Sequence, residues 1–289
     1  MKKLSYVIII GLLFIVSNAL SCRRQASNEK RYDLKGKVLA VEPDKHLVTI
    51  AHEDIKDYMP GMTMPFTDPD DADFQFLAAG DEIAATLVVD GAHSWLENVQ
   101  ITKESADPSA STGIVEAKEG DEVPDYGLVN QDGKDIRIDS YRGKALILTF
   151  IYTRCPLPEY CTLMSNNFAT IDRELQQQPK TYEKTHLLSI SIDPDYDTPK
   201  VLRSYGAAHT ERYSDETFSH WEFATGTKDQ VKGIAQYFGL RYFEENDQIT
   251  HGLRTVIIAP DGKVFKVYRG NDWKPSEVVK ELEVLFGKE

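Results

Sequence analysis

Cys155 and Cys161 are the residues of this chain whose type and setting point most directly to chemistry. An apolar stretch, residues 145–152, runs into the loop that holds them, and a helical pattern begins at Thr162. A helix N-terminus offers free N–H groups and the positive end of the helix dipole, so a thiol placed there ionises more easily. The thiolate is both a nucleophile and a soft-metal ligand, so the pair predicts a redox site or a metal site.

The same cysteine pair has two structural interpretations. Exported proteins use disulfides as cross-links, although a bridge that closes about seven residues contributes only about 2–2.5 kcal/mol on the loop-entropy model. Such a weak cross-link fits a bond that opens and closes. A structural zinc site needs four ligands, and one cysteine pair with one distant histidine would supply three.

The third cysteine, Cys22, ends a segment that is typical of an export signal. Two lysines precede an apolar run of residues 6–16, and small residues follow it. The segment ends in Ala-Leu-Ser-Cys22, which resembles a lipoprotein cleavage site with alanine where leucine is usual. We therefore expect a signal peptide over residues 1–22 and a lipid on Cys22. The alternative is an uncleaved anchor, but the run is shorter than the roughly 20 apolar residues that a span needs. Either reading places the protein outside the cytoplasm, in the periplasm or at the cell surface, attached to the membrane.

Charge and length limit the class of protein. Without residues 1–21 the chain has 46 acidic and 31 basic residues, which gives a formal net charge of −15. We therefore expect no nucleic acid partner. The remaining length is enough for two modest domains, and the polar, proline-containing residues 103–112 are typical of a linker. The predicted boundaries are 30–102 for the first domain, 103–120 for the linker and 121–289 for the second.

The first domain has the pattern of a small all-β protein. Short strand patterns are separated by turn residues, with no convincing helix. The predicted strands are residues 35–41, 47–52, 62–66, 82–89 and 94–102. Five strands in so short a segment predict a small closed barrel of the OB type.

The chemistry of this domain lies in residues 52–66. If Met62-Thr63-Met64 is a strand, both thioethers lie on one face, and His52 at the end of a neighbouring strand can meet them. Soft sulfur with imidazole suits Cu(I) or Ag(I). The methionines could instead fill a core. However, three of the chain's five methionines fall within residues 59–64, beside prolines and a glycine, which is poor material for a core strand.

This segment is similar to the CusF-type periplasmic copper-binding domain, whose motif contains a histidine, an aromatic residue and Met-Thr-Met. The resemblance implies that His52, Met62 and Met64 are Cu(I) ligands. The chain has Met59 where that family has a tryptophan, whose ring covers the metal. Met59 replaces this aromatic ring and is a candidate fourth ligand.

The second domain alternates strand and helix patterns. A hairpin is predicted at residues 126–138, strands at 145–152, 187–192, 254–259 and 263–268, and helices at 162–177, 198–208, 228–238 and 276–286. Crossover helices between strands, with a final hairpin, predict an α/β thioredoxin-like domain with a mixed central sheet.

Three pieces of this domain resemble the Sco (SenC) family of thioredoxin-fold copper proteins. They are the cysteine pair, residues 191–199 (Ser-Ile-Asp-Pro-Asp-Tyr-Asp-Thr-Pro), and Thr-His251-Gly before the last hairpin. The resemblance implies that Cys155, Cys161 and His251 bind copper, as Cu(I) or Cu(II). It also implies copper delivery, or thiol reduction of a target, during assembly of the CuA centre of cytochrome c oxidase. Five residues separate the cysteines here, whereas three are usual in the family.

Two further features have structural interpretations. Asp193, Asp195 and Asp197 alternate as in a calcium loop, but positions 198 and 204 lack the glycine and glutamate of an EF-hand. We expect these aspartates to serve in turns and helix capping. Met164 lies on the apolar stripe of its predicted helix and is expected in the core.

The leading hypothesis is a membrane-anchored, extracytoplasmic copper chaperone with two copper sites of different softness and a protein client such as a cytochrome c oxidase subunit. We expect a carrier of copper rather than an enzyme. One alternative is a thiol–disulfide oxidoreductase that uses Cys155 and Cys161 to reduce a partner. Another is a copper buffer or sensor without a client.

Overall fold

The fold is described from a computed structural model of the 289-residue chain. The residues described are 29–68, 77–91, 93–105, 116–156, 158–245 and 248–287. The expected signal peptide, Cys22 and most of the expected linker lie outside these ranges. Among the described helices, none combines the length and the apolar character needed to cross a bilayer.

The N-terminal domain is a five-stranded antiparallel sheet. Its strands are β1 (Lys30–Glu42), β2 (Leu47–His52), β3 (Met62–Thr67), β4 (Glu82–Asp90) and β5 (His93–Lys103). Their order in the sheet is β3-β2-β1-β4-β5. The five strands predicted from the sequence are therefore confirmed, each within a few residues of its expected bounds.

This sheet is OB-like but incompletely closed. The edge strands β3 and β5 approach each other, yet no hydrogen-bonded ladder joins them among the described residues. β1 pairs with β4 through its first half and with β2 through its second half, and a bulge between Val38 and Ala40 lets it bend from one partner to the other. The bend wraps the sheet around an apolar core that includes Leu34, Ile50 and Phe66.

The C-terminal domain is an α/β domain around a seven-stranded mixed sheet. Its strands are β6 (Gly127–Asn130), β7 (Asp135–Arg137), β8 (Ala145–Ile151), β9 (Thr185–Ser191), β10 (Trp221–Thr225), β11 (Tyr242–Glu245), β12 (Gln248–His251), β13 (Arg254–Ile258) and β14 (Val264–Arg269). Its helices are α1 (Leu163–Gln176), α2 (Pro179–Glu183), α3 (Pro199–His209), α4 (Lys228–Tyr237) and α5 (Pro275–Phe286). The strand order is β14-β13-β8-β9-β10-β6-β7, and β11 and β12 form a separate hairpin. This confirms the predicted thioredoxin-like class.

The centre of this sheet is covered on both faces. Every residue of β8, β9 and β13 is buried, which explains why these strands are apolar without alternation. α1 packs its stripe of Met164, Phe168 and Leu175 into the same core, so Met164 is a core residue as expected. The neighbouring strands β8 and β9 are parallel and end at the same edge of the sheet, where the cysteine loop begins.

Candidate metal centres

The side chains of Cys155, Cys161 and His251 converge in the C-terminal domain. Their sulfurs and one imidazole nitrogen all lie within 4.8 Å of one another. Cys161 Sγ is 3.5 Å from His251 Nε2. Within the described part of the chain, no further His, Cys, Asp or Glu joins this group. Two thiolates and an imidazole form a soft donor set that suits copper, and they fall one short of the four ligands of a structural zinc site.

The loop between the cysteines explains how a separation of five residues still allows this convergence. Residues Pro158–Thr162 form a wide, irregular turn that runs into α1. Tyr160 leaves helical geometry there, with φ −113° and ψ −110°, and its ring is buried. The turn therefore takes up the extra length and brings Cys161 back beside Cys155. Neither Cys155 nor Cys161 forms a disulfide in this structure.

Two aspartates after β9 hold the start of the cysteine loop. Asp197 accepts hydrogen bonds from the backbone N–H of Thr153, at 2.9 Å, and from the Thr153 hydroxyl. Asp193 pairs with the Arg154 guanidinium at 2.7 Å. Sequence reasoning assigned these aspartates only to turns and capping, whereas the cap of α3 is the Thr198 side chain. Their position directly after β9, which neighbours β8 in the sheet, is the feature of the sequence that could have indicated this contact.

His251 is fixed in one orientation. It ends β12, is buried, and its Nδ1 lies 2.6 Å from the carbonyl oxygen of Gly252. A carbonyl can only accept, so Nδ1 carries the proton and Nε2 presents its lone pair towards Cys161. The Tyr152 ring meets the imidazole edge-on, with 5.5 Å between the ring centres. The imidazole is therefore oriented to donate to a metal held by the two sulfurs.

The two thiols differ in acidity. The pKa of Cys155 is lowered, chiefly because the Cys161 thiol hydrogen-bonds to its sulfur and also because His251 lies close, although burial opposes the shift. The pKa of Cys161 is raised, first by burial. Cys161, the cysteine nearer to α1, is therefore the less acidic of the two, so acidity at this centre does not follow closeness to the helix start. Cys155, which is only half-buried, is the thiolate that a ligand or partner meets first.

A cleft opens between this centre and the N-terminal domain. Its volume is about 410 Å³. Lys35 and Gln100, on the outer face of the N-terminal sheet, line one side, and Tyr152, Pro156 and Glu159 of the cysteine loop line the other. Sequence patterns do not predict this arrangement, because it depends on tertiary packing between residues that are far apart in the chain.

The N-terminal candidate ligands share one strand pair. In the register of β2 and β3, His52 lies opposite Met62 and Ile50 lies opposite Met64, so all four side chains are on the same face. His52 is buried, and its Nδ1 is 2.7 Å from the carbonyl oxygen of Glu53. Its Nε2 is buried without a hydrogen-bond partner, which is costly for a polar atom unless something binds there.

The methionines around His52 differ in exposure. Met62 is 45% exposed, whereas Met64 and Met59 are half-buried against the core of the domain. Met59 also forms an isolated backbone bridge with Ile55, which draws its loop onto the sheet. Beside it, Tyr58 stacks on Tyr32 with ring centres 4.6 Å apart, an aromatic pair that sequence reasoning did not single out.

Comparison with known proteins matches each domain to a family of its own. The family model described as SCO1/SenC matches residues 115–287, and the model described as copper binding periplasmic protein CusF matches residues 31–101. The SCO1 protein homolog of Bacillus subtilis is 29% identical over 170 residues, covering 56% of this chain and 81% of that protein. Protein SCO2, mitochondrial, of Saccharomyces cerevisiae is 27% identical over 228 residues, covering 73% and 68%.

Solved structures include a similar protein, a SCO1/SenC family lipoprotein from Bacillus anthracis. It is 25% identical, covers 57% of this chain and 95% of its own, and has a TM-score of 0.49. The SCO1/SenC match spans more than half of the present chain. The chain therefore belongs to the SCO1/SenC family and carries a CusF-type copper-binding domain in front of its SCO1/SenC domain.

Proposed function

We propose that this protein is a membrane-anchored extracytoplasmic copper chaperone that serves assembly of the CuA centre of cytochrome c oxidase. The observation that carries the proposal is the convergence of Cys155, Cys161 and His251 donor atoms within 4.8 Å. Family membership supports copper as the cargo, and the expected lipid on Cys22 would supply the anchor.

The C-terminal centre can hold both oxidation states of copper. Two thiolates are enough for Cu(I), which accepts low coordination numbers, whereas Cu(II) favours additional nitrogen or oxygen ligands. The oriented Nε2 of His251 would supply that additional donor. His251 is therefore the residue that would allow the site to bind Cu(II) as well as Cu(I).

The N-terminal domain would capture Cu(I) separately. His52 offers a buried, unpartnered Nε2, and Met62 and Met64 share its face of the sheet. Met62 is exposed enough to meet incoming metal, while Met59 lies close enough in the chain to serve as a further thioether ligand. Thioethers discriminate against zinc because they are soft and uncharged.

A second candidate function is reduction of a partner disulfide. It is favoured by the contrast between the acidic, half-buried Cys155 and the buried Cys161. The Cys155 thiolate would attack the partner's disulfide and release one partner thiolate. Cys161 would then displace the second, so that the partner gains two electrons and a Cys155–Cys161 disulfide forms.

Metal analysis and copper transfer separate these functions. The reduced protein without residues 1–22 should hold one copper at each centre, and oxidation of the cysteine pair should release the copper of the C-terminal centre. Incubation with the metal-free CuA domain of an oxidase should then move copper to that domain. A protein that reduces target disulfides at full rate, but retains no copper at Cys155 and Cys161, would support the second function instead.

A further inference from the structure

The strand that carries His251 lies outside the main sheet. β11 and β12 pair only with each other among the described strands, and His251 lies opposite Tyr242 at the open end of this hairpin. A two-stranded hairpin is marginally stable by itself. The position of the imidazole therefore depends on contacts between the hairpin and residues outside it.

Two buried arginines stand at the ends of this hairpin. Arg241 immediately precedes β11, and Arg254 begins β13, three residues after His251. Gly252 ties the two ends together, since its N–H donates to the carbonyl oxygen of Arg241 at 2.9 Å. Displacement of either arginine side chain would therefore also displace the backbone next to His251.

Two of the carboxylates that face these arginines lie next to strands of the N-terminal domain. Asp81, fully buried before β4, lies 3.1 Å from Arg241 Nη2. Glu104, just after β5, lies 3.8 Å from the same atom and also pairs with Arg254 Nη2. Glu116 adds a further partner, 3.1 Å from Arg254 Nε.

Asp81 is itself rigidly held. Its Oδ2 accepts from the N–H of Ala78 at 2.8 Å, and its Oδ1 accepts from the N–H of Ser105 at 2.7 Å. These bonds tie the loop before β4 to the segment after β5. The carboxylate therefore presents a fixed charge to Arg241, as a buried ion pair requires.

Glu104 also packs directly on the peptide next to the candidate ligand. A Cβ atom at Gly252 would lie 2.5 Å from Glu104 Oε1, so a larger residue at this position would push the carboxylate away. The carbonyl oxygen of Gly252 is the acceptor that fixes the proton of His251 on Nδ1. Glu104 thus lies against Gly252, the residue whose carbonyl oxygen sets the orientation of the imidazole.

We propose that the N-terminal domain is a structural part of the C-terminal copper centre, with Glu104 and Asp81 acting as positioning residues for His251. The inference rests on the proposed role of His251 as a copper ligand. It means that the copper affinity of one domain depends on two carboxylates of the other.

The test compares Glu104→Ala with Asp272→Asn in the protein without residues 1–22. Asp272 forms an exposed ion pair with Lys103, 3.6 Å apart, which also joins the two domains. Loss of a residue that orients a ligand typically weakens metal binding about 10- to 100-fold, so Glu104→Ala should weaken Cu(II) by about tenfold or more. Cu(I), which the thiolates hold, and both affinities of Asp272→Asn should stay within about threefold.

A His251→Ala variant distinguishes the two ways of failing. If His251→Ala leaves Cu(II) affinity unchanged, the proposed ligand itself is wrong. If His251→Ala weakens Cu(II) but Glu104→Ala does not, the ligand stands and the positioning role is overturned.

Hydrogen exchange in the metal-free protein gives a readout that is independent of copper. Glu104→Ala should speed amide exchange in β11 and β12 while leaving β8 as protected as in the unchanged protein. Glu104→Gln, which keeps the shape and one acceptor oxygen, should show a smaller effect and serves if the alanine variant does not fold. Unchanged exchange in the hairpin for both variants would overturn the proposal.

Discussion

Cys161 Sγ and His251 Nε2 lie 3.5 Å apart although 90 positions separate them in the chain. One residue precedes α1 and the other ends an isolated hairpin, so neither element positions the other directly. The contact depends on the ordering of both the cysteine loop and the hairpin.

Replacement of His251 should separate the two oxidation states. His251→Ala removes the imidazole that Cu(II) needs, so Cu(II) affinity should fall by about tenfold or more while Cu(I) affinity changes much less. Competition titrations with chelators specific for each oxidation state measure this. Thiol titration should still find both cysteines, and equal losses for Cu(I) and Cu(II) would contradict the assignment.

The acidity of Cys155 should be visible in its alkylation rate. Because its pKa is lowered to about 4, the reactive thiolate is present above that pH and is lost only as the pH falls through it. Iodoacetamide labelling of the reduced, metal-free protein should therefore be nearly constant from about pH 8 to about pH 5, whereas an ordinary thiol with pKa near 8.5 slows tenfold per unit.

Cys161→Ala provides the control for this acidity. It removes the largest cause of the lowered pKa, the hydrogen bond from the Cys161 thiol. Labelling of Cys155 in this variant should slow at acidic pH and follow a higher pKa. An unchanged pH profile would mean that His251, or another group, controls the acidity.

The N-terminal site should lose Cu(I) when its thioethers are removed. In a protein with Cys155→Ser and Cys161→Ser, the further change Met62→Leu with Met64→Leu should weaken Cu(I) by about tenfold or more, since leucine fills the space without a soft donor. Met164→Leu is the matched control, because Met164 is buried in the other core. Equal affinities in both variants would assign the methionines to packing.

The cysteine loop should depend on Asp197. Asp197→Ala leaves the Thr153 N–H and hydroxyl without their acceptor, which should lower the free energy of unfolding by about 1–3 kcal/mol. Asp195→Ala is the control: Asp195 is exposed and its ion pair with Lys228 lies on the surface, so the change should alter stability by less than about 0.5 kcal/mol. Urea denaturation monitored by fluorescence measures both. A stable Asp197→Ala protein would show that the loop is anchored elsewhere.

The strands and helices that carry strong local patterns were predictable. β2 and β3 follow from alternation and turn residues, and α1 from its apolar stripe. The shared face of Met62 and Met64 also followed from strand periodicity, whereas the position of His52 opposite Met62 depends on the register of β2 and β3. Apart from this register, these features are determined by residues that are close together in the sequence, so they can be inferred from a single sequence.

The supports of the copper centre were not predictable in the same way. β10 is a short strand of five residues, and the hairpin of β11 and β12 has no apolar run that distinguishes it from a loop. The pairing of Asp197 with Thr153, and of Glu104 with Arg254, joins residues 44 and 150 positions apart. Such contacts depend on tertiary packing, and local propensity does not encode them.

The pairing of Arg241 with Asp81 and Glu104 also governs how the chain can be divided. A fragment that begins at residue 116 would lose both of these carboxylates and would open to solvent the side of Arg241 that they cover, since Arg241 is buried only while the N-terminal domain is present. The fragment would therefore gain a basic patch at the base of the hairpin that carries His251. Division of the chain at the linker thus changes the surroundings of the second copper centre as well as removing the first one.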